Sequence, residues 1–269
     1  KIHLRFSSRK GGPMQREVLG YALGSFGGWI HELVRRIEGL GGHLHGGMPV
    51  QQIVIKDGRA ERLAFADGSE ENFDSIIATV ANKTFLRIAP DLPEDYLELC
   101  RGVPYQDALC LVLALEHSFS PVYWLNINDN SVPFLALVEH TNLIEKEQYG
   151  GKHILYISNY LDKESPLLQM TEAELWELYL PHLEKINPNF DPSWVSERWL
   201  YKASDAQPIF TVANAERIPP HRTPAQGLYL ANMSQIYPED RGQNYSIRLG
   251  EEIARLVIED RERQPQYAV

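Results

Sequence analysis

Eight residues, Ala108-Leu109-Cys110-Leu111-Val112-Leu113-Ala114-Leu115, form an almost wholly apolar run in the middle of this 269-residue chain. So short and apolar a run reads as a strand inside a sheet. No uninterrupted apolar stretch approaches the roughly 20 residues that cross a bilayer, so no integral membrane segment is expected. No charged-then-apolar signal segment opens the chain either.

The neighbouring periodicities supply the rest of the architecture. Ile30, Leu33, Val34, Ile37 and Leu40 recur at helical spacing after a glycine-rich lead-in, which predicts a helix of about 13 residues stopped by Gly41-Gly42. Pro49 to Ile55 and Ala60 to Phe65 are strand candidates joined by the hairpin turn Lys56-Asp57-Gly58-Arg59. After Asp67-Gly68-Ser69 and Glu71-Asn72-Phe73, the run Asp74 to Val80 has the form of a buried central strand. Short helical pieces are expected between Thr84 and Leu99, broken at Pro90 and Pro93, and further strands at Tyr123–Ile127, Pro133–Glu139, His153–Ser158 and Val195–Lys202. Thr171 with Glu174 three residues on predicts a capped helix that ends at Asn187-Pro188. A short strand, Leu228 to Asn232, and an amphipathic helix, Ser246 to Glu259, close the pattern, and the charged stretch Glu259 to Pro265 reads as a frayed tail. Mixed helices and strands of this kind predict an α/β or α+β fold with two lobes.

Composition excludes several functions. With 36 acidic against 26 basic residues the net charge is -10, and the Lys and Arg are scattered, so no stripe is present to neutralise a nucleic acid backbone. Cys100 and Cys110 are too few for a disulfide framework and too far apart for Cys-x-x-Cys, which fits a reducing compartment and makes cytoplasm the expected location. The nine histidines show no metal-ligand spacing and no G-x-S-x-G elbow is present.

Two stretches carry chemistry. The first runs from Gly24-Ser25-Phe26-Gly27-Gly28-Trp29 through Gly41-Gly42 to Val50. The second is Gly227-Leu228-Tyr229-Leu230-Ala231-Asn232-Met233, followed by Asp240-Arg241-Gly242-Gln243-Asn244-Tyr245-Ser246-Ile247 and the last helix. A strand that ends at Asn232 and Met233, and a glycine just before unpaired helix amides, suit anionic groups or electron-rich carbonyls. The alternative is a polar turn that caps the last helix, with Asp240 and Arg241 as a surface ion pair. Gly24, Gly27 and Gly28 either bring backbone close to a cofactor or punctuate a loop.

Together these stretches resemble the later cofactor-binding segments of the flavin amine oxidase superfamily, which includes protoporphyrinogen oxidases, phytoene desaturases and UDP-galactopyranose mutases. The resemblance spans Leu19 to Val257 and implies FAD as cofactor. Val50 would lie toward the adenine end, and Asn232, Met233, Arg241, Gly242, Asn244, Tyr245 and Ile247 would line the flavin. It also implies three parts: residues 1–83 as the later part of the FAD-binding lobe, 84–205 as a substrate lobe, and 206–269 returning to the first lobe. The family's opening strand, G-x-G-x-x-G turn and helix have no counterpart here, and Asn232-Met233 stands where a Gly-Glu pair is usual. The chain starts at Lys1-Ile2-His3 without an initiator methionine, as though in the middle of a domain, so a processed or cut piece lacking the first FAD-binding segment is expected.

In the middle lobe, aromatic and amide side chains are dense, and Tyr123, Trp124, Asn126, His140, Asn159 and Tyr201 are the substrate-binding candidates for a small molecule. Aromatic strand residues also serve as core. Glu139-His140 is the adjacent acid and base pair, a proton shuttle or simply solvated. Catalytic residues are not legible. The expected function is hydride removal from a C–H or C–N bond. The rivals are a sugar nucleotide mutase, which would need arginines such as Arg198, Arg222, Arg241 and Arg248 paired at the flavin, and a non-catalytic binding or scaffold module. Substrate, electron acceptor and oligomeric state are not fixed by the residues.

Overall fold

The computed structural model describes residues 21–22, 24–211, 217–239 and 242–263. The described residues up to Arg101, with those from Arg217 onward, form one compact unit, and those from Gly102 to Thr211 form a second.

The first unit begins with helix α1 (Ser25–Gly39), entered through Gly24 at φ +84° and left through Leu40 and Gly41 at φ +86°. Gly27 and Gly28, read from the sequence as the lead-in, lie inside its first turn. Strands β1 (Val50–Lys56) and β2 (Arg59–Phe65) form the expected hairpin, with Asp57 (φ +49°) and Gly58 (φ +76°) as a tight turn. Strand β3 (Glu70–Asn72) adds to β2. Strand β4 (Ile76–Ala78) is shorter than the run 74–80 and leads into helices α2 (Asn82–Ile88) and α3 (Glu94–Arg101).

The core of this unit gathers Ile53, Ala60, Phe85, Ile88, Tyr96, Leu97, Leu228 and Leu230, all buried. Burying each large apolar side chain contributes about 1.5–3 kcal/mol. Phe85 and Ile88 on α2 and Leu97 on α3 thus tie residues 82–101 to the first unit. The boundary read at 83/84 falls inside α2, and the one at 205/206 falls inside the strand that ends the second unit.

In the second unit an antiparallel sheet runs β6 (Trp124–Asn126), β7 (Ala136–Glu139), β8 (His153–Leu161), β5 (Tyr105–Leu115), β9 (Val195–Pro208), in that spatial order. The apolar run is the middle of β5, and alternation splits it. Leu109, Leu111, Leu113 and Leu115 enter a core with Leu175, Trp176, Tyr179 and Leu183 of helix α4 (Glu172–Ile186), while Cys110, Val112 and Ala114 take the opposite face. The predicted Thr171–Glu174 capping box is present, with Glu174 N–H donating to Thr171 Oγ1 at 3.3 Å and Thr171 N–H to the Glu174 carboxylate at 2.7 Å.

Back in the first unit, strand β10 (Leu228–Leu230) pairs in parallel with β4. Gly227 before it sits at φ +79°, and a Cβ there would stand 3.1 Å from the Asp74 carbonyl, so only glycine lets β10 approach β4 this closely. The last helix, α5 (Gln243–Arg263), extends beyond the predicted 246–259 at both ends. The charged stretch from Glu259 is therefore helical as far as Arg263. Asp260 is fixed by Arg222, at 2.7 and 2.9 Å, and by the Tyr229 hydroxyl at 3.0 Å, contacts that suppress fraying.

Candidate functional site

The end of β10 is knotted to the rest of the first unit. Asn232 donates its side-chain amide to the Val80 carbonyl at 2.8 Å and to Asn82 Oδ1 at 2.9 Å, and its own Oδ1 accepts from Ser234 N–H and Oγ. Its backbone N–H donates to Gln235 Oε1 at 2.9 Å. Asn82 in turn donates to the Cys100 carbonyl at 3.1 Å. Asn232, Asn82 and Ser234 are all buried. This accounts for the side-chain groups of Asn232 that the sequence reading offered to a ligand: they hold the turn in place.

Residues beyond that turn begin α5. The Gly242 carbonyl accepts the N–H groups of Tyr245 (3.1 Å) and Ser246 (3.0 Å), so it stands at the helix start. No acidic residue lies in the first turn of this 21-residue helix, whose N-terminus carries the positive end of its dipole. Gln243, Asn244 and Ile247 are exposed, Gly242 and Tyr245 half-buried. Ser246 Oγ reaches Met233 Sδ at 3.4 Å, which links the knot to the helix. Arg241 and Asp240 lie outside the described residues. Val50 heads β1, half-buried against the first core and distant in sequence from these groups.

Three of the four arginines that a paired-arginine site would draw on are otherwise engaged. Arg198 pairs with Glu172, Arg222 with Asp260, and Arg248 with Glu239 while stacking over Tyr245 at 4.9 Å. Arg222 also borders a cavity of about 280 Å³ with Tyr229 and Asp260, where that carboxylate already neutralises it. Among the described residues no three His, Cys, Asp or Glu side chains gather as a metal site, and no helix is long and apolar enough to cross a membrane.

In the second unit, strand register sorts the substrate candidates. One row of cross-strand partners runs Trp124, Val138, Tyr156, Val112, Trp199, and the next runs Asn126, Ala136, Ser158, Cys110, Tyr201. Partners in register share a face. Trp124, Asn126 and Tyr201 therefore stand together on the face opposite α4. Asn159 lies in register with Leu109 on the core face, buried, and donates to the Pro133 carbonyl at 2.8 Å. Tyr123 precedes β6 and accepts the Glu139 N–H through its carbonyl.

His140 is buried beyond the end of β7. Its Nε2 lies 2.6 Å from the Tyr149 hydroxyl, and its ring meets Tyr149 and Tyr156 edge-on. Burial lowers its pKa from the ordinary histidine value, which favours the neutral ring at pH 7. The Glu139 carboxylate is enclosed and accepts from Ser118 Oγ (2.7 Å), Phe119 N–H (3.3 Å) and Ser120 N–H (2.6 Å), which pins the loop before β6. The sequence reading missed Trp199, Tyr156, Ser158 and Cys110 on the face opposite α4. The alternation Trp199-x-Tyr201 and Tyr156-x-Ser158 was the signal for them.

Comparison with known proteins places this architecture. Residues 6–240 match the family model described as flavin containing amine oxidoreductase, and the chain belongs to that family. Among solved structures, an oxidoreductase from Methanosarcina mazei superposes with a TM-score of 0.67 at 18% identity, covering 87% of this chain and 54% of that one. A provisionally named protoporphyrinogen oxidase from Exiguobacterium sp. 255-15 gives 0.66 at 17% identity, covering 86% and 51%. A reduced UDP-galactopyranose mutase gives 0.56 at 15%, covering 70% and 41%. The chain thus spans about half the length of the first two structures, and likeness at such identities shows the shared fold. No curated protein sequence matches it.

Proposed function

We propose that this chain is the later part of an FAD-dependent oxidoreductase that removes a hydride from a C–H or C–N bond of a small molecule. The observation that carries the reading is the α5 N-terminus: a first turn free of acidic residues, begun by Gly242 and held in place by the buried Asn232 knot at the end of a parallel strand pair. Donors of this kind fit the pyrophosphate or the pyrimidine edge of a flavin. Gly242, Asn244, Tyr245 and Ile247 would line it, with Met233 and Arg241 beside them and Val50 toward the adenine end. When bound, FAD supplies the hydride acceptor; the protein's part is to hold it and to stabilise negative charge on it.

The first dinucleotide-binding segment would add to this unit from sequence outside the chain. Two open surfaces support that. Among the described residues β4 has β10 on one side and no strand on the other, and Ile77 at its centre is exposed. A parallel sheet of two strands is less than such sheets normally need, since they are covered on both faces. Helix α1 likewise carries Phe26, Trp29, Ile30, Leu33 and Ile37 exposed along one stripe.

The visible absorption spectrum after incubation with FAD and removal of excess tests the reading. The expected result is a retained flavin spectrum that the Gly242→Leu variant loses while its circular dichroism is unchanged. Retention equal in both proteins would overturn the placement of the cofactor; a colourless parent chain would show that these segments alone do not make a cofactor site.

A further inference from the structure

The loop that joins β7 to β8, residues 140–152, folds over one end of the sheet face opposite α4. Its Tyr149 packs with Tyr156 against Val112, Ala114 and Ile154 on that face. The first part of the loop is fastened to backbone: Asn142 donates its amide to the Ser120 and Val122 carbonyls at 2.7 and 3.0 Å, and Thr141 Oγ1 accepts the Ile154 N–H at 3.1 Å. The later part turns back through Gly150 (φ +65°) and Gly151 (φ +80°). It is held by the Lys152–Glu116 ion pair and by the 2.6 Å bond between Tyr149 and buried His140. Of these fastening groups, His140 is the one whose charge changes between pH 5 and 8.

The sheet separates that histidine from the acid beside it in sequence. Glu139 is in register with Leu155, a residue of the core under α4, and its carboxylate bonds to residues 118–120 and lies 3.4 Å from His153 Nδ1. His140 instead meets Tyr156, in register with Val112 on the other face. On that face β9 carries Glu197, across from Ala114 and two strands from β8, while β5 carries the Cys110 thiol and β8 the Tyr156 and Tyr160 hydroxyls. In the loop itself Glu145 and Glu147 are exposed, Lys146 is half-buried and Lys152 faces Glu116. An imidazolium between the Tyr149 and Tyr156 rings would lose hydration without gaining a carboxylate, and burial lowers the His140 pKa.

We infer that His140 makes this loop an acid-released strap: neutral, it holds Tyr149 down on the sheet face, and protonated, it lets residues 143–152 lift away while β7 and β8 stay paired. In the lifted loop the ring takes a proton at the ordinary value of 6.5, and in the closed loop only at a lower pH. Closure is therefore at full strength above pH 6.5 and weakens as the pH falls below it, by up to about tenfold in the closed-to-open ratio per pH unit, until the lowered value is reached. Carboxylates ordinarily titrate near 4, outside this window. The strap does not depend on a flavin.

Amide hydrogen exchange of the whole chain at pH 7.5 and 5.5, with the chemical exchange rate at each pH divided out, tests the inference. The N–H groups of Gln148, Gly151 and Lys152 bond within the loop, and their protection should fall about three- to tenfold at the lower pH while that of Leu155 and Ile157 in β8 holds. His140→Gln keeps a group that can bond the Tyr149 hydroxyl but cannot titrate, and its loop should be equally protected at both pH values. Tyr149→Phe should already lose about three- to tenfold at pH 7.5. His153→Gln should respond as the parent does, which separates the strap from the Glu139–His153 contact. An unchanged parent loop, an equal loss in His140→Gln, or a loss that extends to Leu155 and Ile157 would overturn the inference. If His140→Gln does not fold, the ring's own titration by NMR decides: the midpoint should lie below 6.5 in the parent and return toward it in Tyr149→Ala. A parent midpoint at or above 6.5, or one that Tyr149→Ala leaves in place, would equally overturn it.

Discussion

Asn82 and Asn232, 150 residues apart, meet through a buried hydrogen bond of 2.9 Å from the Asn232 amide to the Asn82 carbonyl oxygen. That bond joins the start of α2 to the turn after β10. Ser234 Oγ donates to the same oxygen at 3.1 Å. Replacing Asn82 by leucine removes the Asn82 donor to the Cys100 carbonyl and leaves half of the Asn232 amide without a partner, while Ser234 Oγ keeps the Asn232 oxygen at 2.7 Å. The expected loss is about 2–4 kcal/mol of unfolding free energy, read as a lower urea midpoint. A midpoint equal to the parent's would show that the knot is replaceable by packing.

Glu139→Gln tests the loop before β6. An amide presents a donor where three donors already converge, so one of the Ser118, Phe119 or Ser120 contacts is lost at a cost of about 1–3 kcal/mol. Faster amide exchange at Phe119 and Ser120, with the β5 core unaffected, is the expected signature. Uniform exchange throughout the sheet would mean that Glu139 supports the whole unit.

Asp260 should give a pH-dependent anchor for α5. The Arg222 guanidinium, together with the Tyr229 hydroxyl, holds its carboxyl below the usual aspartate range. A depressed folded pKa gives stability that is complete above the unfolded value of about 3.9 and lost as the pH falls through the lower folded value. Asp260→Asn should therefore be about 1 kcal/mol less stable than the parent at pH 7, and the difference should shrink toward zero in strong acid. A gap that persists below the folded pKa would point to lost hydrogen-bond geometry in place of charge.

The two thiols should differ from free cysteine in a common direction. Burial pushes the Cys100 thiol up to about 11 and raises that of half-buried Cys110 as well, so neither is a thiolate at pH 8. Ellman's reagent should label neither at the rate of free cysteine, and Cys100 only after urea is added. Rapid labelling of both in the native protein would contradict the packing around them.

Much of this fold was legible where a local rule acts alone. The Asp57-Gly58 turn, the Thr171–Glu174 box and the alternation within β5 each follow from a few adjacent residues. The knot at Asn232 was not, because its partners Val80 and Asn82 are about 150 positions away and nothing near Asn232 signals them. The face opposite α4 was half legible: Trp124, Asn126 and Tyr201 stood out by type, but Ser158 and Cys110 belong to it through register, which depends on strand order. Asn159 looked equivalent to Asn126 in type, yet falls on the other side of a pleat.

Among the described residues, none of the 15 that form α1 is buried. A lone helix of that length is marginal in water, since each turn must offset its own chain entropy without help from packing. With that stripe uncovered, its hydrogen bonds would open independently of the rest, at a cost far below that of the β1–β2 core it precedes. Whatever covers that stripe would raise the helix from a fluctuating segment to a cooperative member of the fold, so the order of α1 is itself a gauge of whether the first unit is complete.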